Sequence, residues 1–241
     1  MTRLLSAMQT DVRVQIRNNL YAIGIGVGVL IAVMLSQFLD SASLGGSVPN
    51  LMLLVLGGST LLYVAGMIIF EKDEGTLNAI IVSPLTAGEY LWSKIITLTT
   101  LATIEAAVMV GGAIAILTFS EAVTLPNIPV LLLGIVAMGV MYTLIGIVLI
   151  VRYDTITDFL VPVLVIALIL QIPYVYFADI SSFWGFLIIP TAAPTMLISG
   201  RFSPLETWEW LYALGYTAIT LAGLSVWAYR AFHTHIIMKV G

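Results

Sequence analysis

Charge is scarce in this chain, and residues 70–94 (FEKDEGTLNAIIVSPLTAGEYLWSK) gather much of it into one polar island between two long hydrophobic runs. Glu71, Asp73, Glu74, Gly75, Thr76, Leu77 and Pro84 have types and spacing suited to holding a partner protein. Bond-making chemistry is not expected of them. No Ser, His and Asp grouping points to a hydrolase, and none of Lys72, Lys94 or Lys239 follows a glycine, so the chain lacks the Gly-x-x-x-x-Gly-Lys loop that cradles nucleotide phosphates. His233 and His235 have no Cys or carboxylate neighbours to complete a metal site, and the absence of cysteine removes disulfides, thiol catalysis and Cys-ligated metals. No catalytic, cofactor-binding or metal-binding residue is expected in this chain.

Two further groups carry potential function. The segment Arg152-Tyr-Asp154-Thr-Ile-Thr-Asp158-Phe159 offers a second short polar contact, with Thr155-x-x-Asp158 as a helix-capping signature. Glu105 is the one acidic residue deep inside a hydrophobic run. An ionised carboxylate at a membrane-helix centre costs roughly 2.5–3.5 kcal/mol on insertion scales, so it must face protein or water. One reading makes Glu105 a substrate or proton contact in a transport pathway; the other makes it a buried hydrogen-bonding group to Ser, Thr or Tyr on a neighbouring helix.

The elements that position these residues follow from composition. Of 241 residues, 60% are hydrophobic and 9% charged, and the mean hydropathy is +1.09. A soluble domain of this size could not hide so much apolar surface. Runs of the roughly 20 apolar residues that a hydrocarbon core demands occur at 20–39, 51–70, 95–119, 128–151, 159–177 and 209–230. The expected fold is an all-α integral membrane protein with six transmembrane helices in a single domain over 1–241. Short loops rich in Lys and Arg stay in the cytoplasm. Arg3, Arg13, Arg17, Lys72, Lys94, Arg152, Arg230 and Lys239 fall on one side of this layout and only Arg201 on the other, which puts both termini in the cytoplasm of a cell inner (plasma) membrane. Asp40, Glu121, Asp179, Glu206 and Glu209 fall outside, so the net charge of −4 reflects scattered outer carboxylates and gives no sign of nucleic acid as a partner.

Residues 1–19 carry no small-residue cleavage site. Leu4, Leu5, Met8, Val12 and Ile16 recur at helical spacing, with Arg3, Gln9, Arg13 and Arg17 mostly elsewhere, as in an amphipathic helix lying in the inner interface. Residues 183–200 are apolar but contain Pro190 and Pro194, and a crossing there would export Arg230 and Lys239; a re-entrant helical hairpin within 178–208 is expected instead. In the first loop, Asp73 is expected to cap a short helix over 74–82 that Pro84 ends, and Thr86-x-x-Glu89 forms a capping box opening the third span. Gly24-x-x-x-Gly28 permits close helix approach, within the subunit or between subunits, and Pro162 and Pro173 mark kinks in the fifth span.

The Glu74-Gly75-Thr76-Leu77 element, with Pro84 and Lys94 after it, resembles the cytoplasmic loop between the second and third spans of type-2 ABC exporter permeases. Together with the Arg152-Tyr-Asp154 loop it is most similar to the fluoroquinolone-export-type subgroup. Asn78, where an acidic residue is common, and the Lys72–Asp73 pair depart from that pattern. The resemblance implies an ATP-driven exporter of an amphipathic or hydrophobic substrate, drug-like or lipid-like. It implies cytoplasmic ABC ATPase subunits carrying ATP and magnesium, docked mainly on residues 71–84 with Arg152, Asp154 and Asp158 as a second contact. It also implies a second permease, identical or related, among membrane lipids. An ATP-independent channel or secondary transporter is the alternative; it calls for paired repeats or several intramembrane ionisable groups, of which only Glu105 is evident.

Overall fold

The computed structural model describes residues 3–38, 44–75, 85–119, 127–200 and 204–237. Helices account for the architecture: α1 (Arg3–Arg17), α2 (Leu20–Phe38), α3 (Leu44–Asp73), α4 (Ala87–Leu117), α5 (Ile128–Ile150), α6 (Ile156–Leu170), α7 (Tyr174–Phe177), α8 (Ala192–Ser199) and α9 (Thr207–Phe232). A 3-10 turn at Trp184–Ile188 precedes α8, and a π turn at His233–Ile237 follows α9. Among the described residues, six segments are long and apolar enough to cross a membrane, formed by α2, α3, α4, α5, α6 with α7, and α9. The chain is a multi-pass membrane protein.

α3 and α4 outrun the sequence expectation. α3 begins at Leu44 and holds Pro49 within its opening turns, and α4 begins at Ala87 under the expected Thr86 cap. There the Thr86 side chain accepts from the Glu89 amide at 3.2 Å, and the Thr86 amide donates to the Glu89 carboxylate at 2.8 Å. At about 1.5 Å per residue, the 31 residues of α4 reach about 46 Å, well past a hydrocarbon core of about 30 Å. The early turns of α4 project at the end that carries Arg17, Lys72 and Arg152, hereafter the basic end.

α5 is the central post: Met138, Met141, Tyr142 and Leu144 are wholly enclosed, with α3 and α4 packed on it. In lipid, helices gain little from the hydrophobic effect and associate through close packing, which small residues permit. A Cβ at Gly57 of α3 would lie 2.6 Å from the Tyr142 ring, and one at Gly28 of α2 would lie 2.9 Å from the backbone oxygen of Glu105 on α4. The Gly24-x-x-x-Gly28 face is therefore spent inside the subunit.

The segment before α9 does not form a seventh long helix among the described residues; it folds as the 3-10 turn and the short α8. Pro190 sits between the 3-10 turn and α8, and Pro194 falls in the first turn of α8, where the missing amide breaks no helical bond. Irregular backbone at membrane depth needs partners. Leu170 O accepts from Thr191 Oγ1 at 2.5 Å, Leu187 O accepts from Tyr212 at 2.5 Å, and Ile188 O accepts from Tyr216. Every residue from 192 to 198 is buried.

Gly28 and Gly26 make an internal comparison, since nothing lies within 4 Å of a Cβ built at Gly26. Gly28→Ala is expected to cost roughly 1–3 kcal/mol by overpacking, lowering the thermal midpoint in detergent, whereas Gly26→Ala leaves it unchanged or slightly raised.

Candidate functional site

The basic end is organised around Lys94, about two turns into α4. A lysine there has its ammonium beyond reach of bulk water, for the side chain is 0% exposed. Its Nζ donates to Asp11 Oδ1 of α1 at 2.5 Å and to Glu71 Oε1 near the end of α3. The other carboxylate oxygens are also engaged: Ser93 donates to Asp11 Oδ2, and Tyr90 donates to Glu71 Oε2 at 2.6 Å. The Tyr90 ring lies 5.1 Å from the ammonium and stacks on Phe232 of α9 at a centroid distance of 4.9 Å. One buried cluster thus pins α1, α3, α4 and α9 together.

A second tier lies toward solvent. Arg17, at the end of α1, bridges Glu74 at 2.6 Å with both side chains largely exposed. Lys72 donates to Tyr153 O at 2.5 Å and approaches Asp154 at 3.4 Å, so the end of α3 holds the loop between α5 and α6. In that loop Arg152 lies 5.8 Å from the Trp227 ring of α9, and Thr155 accepts from the Asp158 amide at 3.2 Å to start α6. The described root of the first loop and the second loop, separate in the sequence, lie side by side. Asp73, Glu74, Gly75, Asp154 and Asp158 are exposed there, with Arg152 beside them.

One expectation is corrected. Asp73 does not cap a helix beginning at Glu74; it is the last residue of α3, and Glu74 and Gly75 form the turn that ends that helix. The Glu74 amide donates to Phe70 O at 3.0 Å and the Gly75 amide to Lys72 O at 3.1 Å, with Gly75 at φ 68, the left-handed stop that glycine favours. The second span runs on past Phe70 through charged residues whose side chains find polar partners, Glu71 on Lys94 and Tyr90 and Lys72 on Tyr153 O, until that glycine. Thr76, Leu77 and Pro84, with the rest of the expected loop helix, lie outside the described residues. Glu71 faces inward to Lys94 and Tyr90, so it braces the loop from behind.

Glu105 is far from this surface. It is 1% exposed, packed against the glycine face of α2, and accepts a hydrogen bond from Tyr63 of α3 at 3.1 Å; its Oε1 has no protein partner. This matches the hydrogen-bonding alternative in geometry. Sequence reasoning missed Asp11 and Gln15, which α1 buries while Leu5 and Ile16 remain exposed. Their i, i+4 spacing was the available signal.

Comparison with known proteins now bears on this geometry. Residues 2–240 match the fluoroquinolones export permease protein family. The chain belongs to that family. Two relatives named fluoroquinolones export permease protein, from the CDC 1551/Oshkosh and H37Rv strains of Mycobacterium tuberculosis, are each 26% identical over 245 residues, covering 100% of this chain and 99% of theirs. Family membership makes the protein an export permease, a transport subunit rather than an enzyme.

Removing the central ammonium leaves two carboxylates facing each other out of water. Lys94→Met is expected to destabilise the protein by about 3–5 kcal/mol, whereas Arg17→Ala, which breaks an exposed pair, costs under about 1 kcal/mol. Thermal unfolding in detergent, followed by tryptophan fluorescence, ranks the two.

Proposed function

We propose that this permease is the membrane-spanning half of an ATP-driven ABC exporter, in the cell inner membrane, with its basic end and both termini in the cytoplasm. Separate ATPase subunits, carrying ATP and magnesium, dock on the surface formed by Asp73, Glu74 and Gly75 with the adjoining 76–84 stretch, and by Arg152, Asp154 and Asp158. A second permease copy, or a related one, completes the transport path. The cargo is amphipathic or hydrophobic, consistent with the drug class in the relatives' names.

The observation that carries this reading is the brace behind the docking surface. A push on a loop does work at a distance only if the loop moves with its helices. Driving a two-state permease from 1:99 to 99:1 takes about 5.5 kcal/mol of bias. The buried Lys94 cluster ties the root of the first loop to α1, α3, α4 and α9, and Lys72 ties it to the second loop. Displacement of either loop is thereby delivered to several spans at once.

Gly75→Val strains a left-handed backbone position, and Glu74→Lys reverses charge on the exposed rim. Both variants are expected to insert and fold, yet to lose at least half of the ATPase that copurifies with the wild type and most substrate-stimulated hydrolysis. Copurification and hydrolysis at wild-type level in both would remove this surface from the mechanism.

For Glu105, a place in the transport pathway predicts that Glu105→Gln changes the export rate or its pH dependence at near wild-type stability. A purely structural role instead lowers the thermal midpoint, because the Tyr63 hydroxyl loses a charged acceptor. Unaltered export across the pH range excludes the pathway role.

A further inference from the structure

At the end opposite the loops, a cavity of about 760 Å³ opens between α2, the start of α3 and the α7 turn. Its wall is apolar, built by Ile31, Leu35, Leu51, Leu54 and Phe177. The floor is fixed by Asn50, whose side-chain amide donates to Gly46 O at 2.8 Å and to Phe177 O at 3.0 Å, clasping α3 to the end of α7. Asp179 is the one charged side chain on the rim among the described residues. It also borders a second, more polar cavity of about 470 Å³ lined by Tyr176, Ile180, Ser181 and Ser182. Asp179 therefore lines both cavities, and its backbone sits at φ 55, a left-handed conformation uncommon outside glycine.

We infer that this cavity binds the cargo on its way out, and that the cargo it takes is an amphiphilic amine, its apolar body in the larger cavity and its ammonium on Asp179. The inference rests on the export reading and sharpens its substrate class. Charge complementarity decides the occupant. An apolar chamber by itself accepts any hydrocarbon, but a lone carboxylate with no described cation beside it favours a cationic head and disfavours an anionic one. A charge-assisted N–H to carboxylate bond is about twice as strong as a neutral one. The polar cavity beyond Asp179 then gives the head a hydrated way forward, while the apolar body leaves last.

The test uses the full-length permease in phosphatidylcholine nanodiscs without any ATPase, so that it reads binding alone. The probes are the dansyl amide of 1,6-diaminohexane, which is cationic, and that of 6-aminohexanol, which is neutral. The wild type is expected to bind the cation at least about tenfold more tightly than the alcohol. Asp179→Asn, which tolerates the same backbone conformation, abolishes that preference and leaves alcohol binding unchanged. Met34→Trp, which narrows the larger cavity from a half-exposed position, weakens both probes about tenfold. Preference for the amine that survives Asp179→Asn, or binding indifferent to Met34→Trp, overturns the inference. So does native mass spectrometry finding a phospholipid that the wild type retains against the amine and Met34→Trp releases. Loss of ATPase copurification with intact amine binding would sink the export mechanism and leave the site; the converse would sink the site alone.

Discussion

Everything at the basic end depends on one lysine held out of water between two carboxylates. Moving an ammonium and two carboxylates from water costs several kcal/mol per ion, and their attraction repays this only when hydrogen bonds satisfy the remaining groups. Here Ser93 and Tyr90 supply such bonds, and Tyr90 is in turn fixed by stacking on Phe232. The cluster adds little by way of net stability over an apolar equivalent. Its contribution is geometric, because four helices have to be in register for Lys94 to find both Asp11 and Glu71. A loop rooted in such a cluster cannot drift independently of the spans.

The same demand, that polar groups inside the bundle find partners, shapes the opposite end by different means. Charge gives way to hydroxyls and amides. Thr191, Tyr212 and Tyr216 collect the carbonyls that the 3-10 turn and the prolines release, and Asn50 clasps α3 to Phe177 O. The segment of α8 is buried because α3, α5 and α9 close over it. Thus one end is braced by ions near water and the other by neutral hydrogen bonds deeper in apolar surroundings, where an unpaired ion would cost more.

Between them, packing is set by shape. α2 meets α4 where Gly28 removes a side chain, and α3 meets α5 where Gly57 admits the Tyr142 ring. α6 and α9 keep many of their large apolar residues outward, Val161, Leu168, Leu211 and Ile219 among them, which is unremarkable for helices that face lipid. The spans most loosely held by the subunit are therefore at its edge, while α5 is enclosed and serves as the axis around which the others are arranged.

Much of this was legible in the chain by itself, for physical reasons that act locally. Span number follows from run length against membrane thickness, the broken segment before α9 from Pro190 and Pro194, and the starts of α4 and α6 from Thr86 with Glu89 and Thr155 with Asp158, since capping needs only neighbours three residues apart. The end of α3 was misjudged, because Asp73 is a plausible start signal and only the continued packing of α3 makes Gly75 the stop instead. What no local rule could supply is pairing across tens of residues. Asp11, Glu71 and Lys94 are separated by up to 83 positions, and each alone reads as an ordinary interfacial charge. Likewise Glu105 shows in the sequence only that it needs company; that Tyr63 provides it, and that the α2 glycines lie against it, follows from how three helices cross. Composition and periodicity fix which segments enter the membrane, whereas the contacts that join the loops to the spans exist only once the helices have packed.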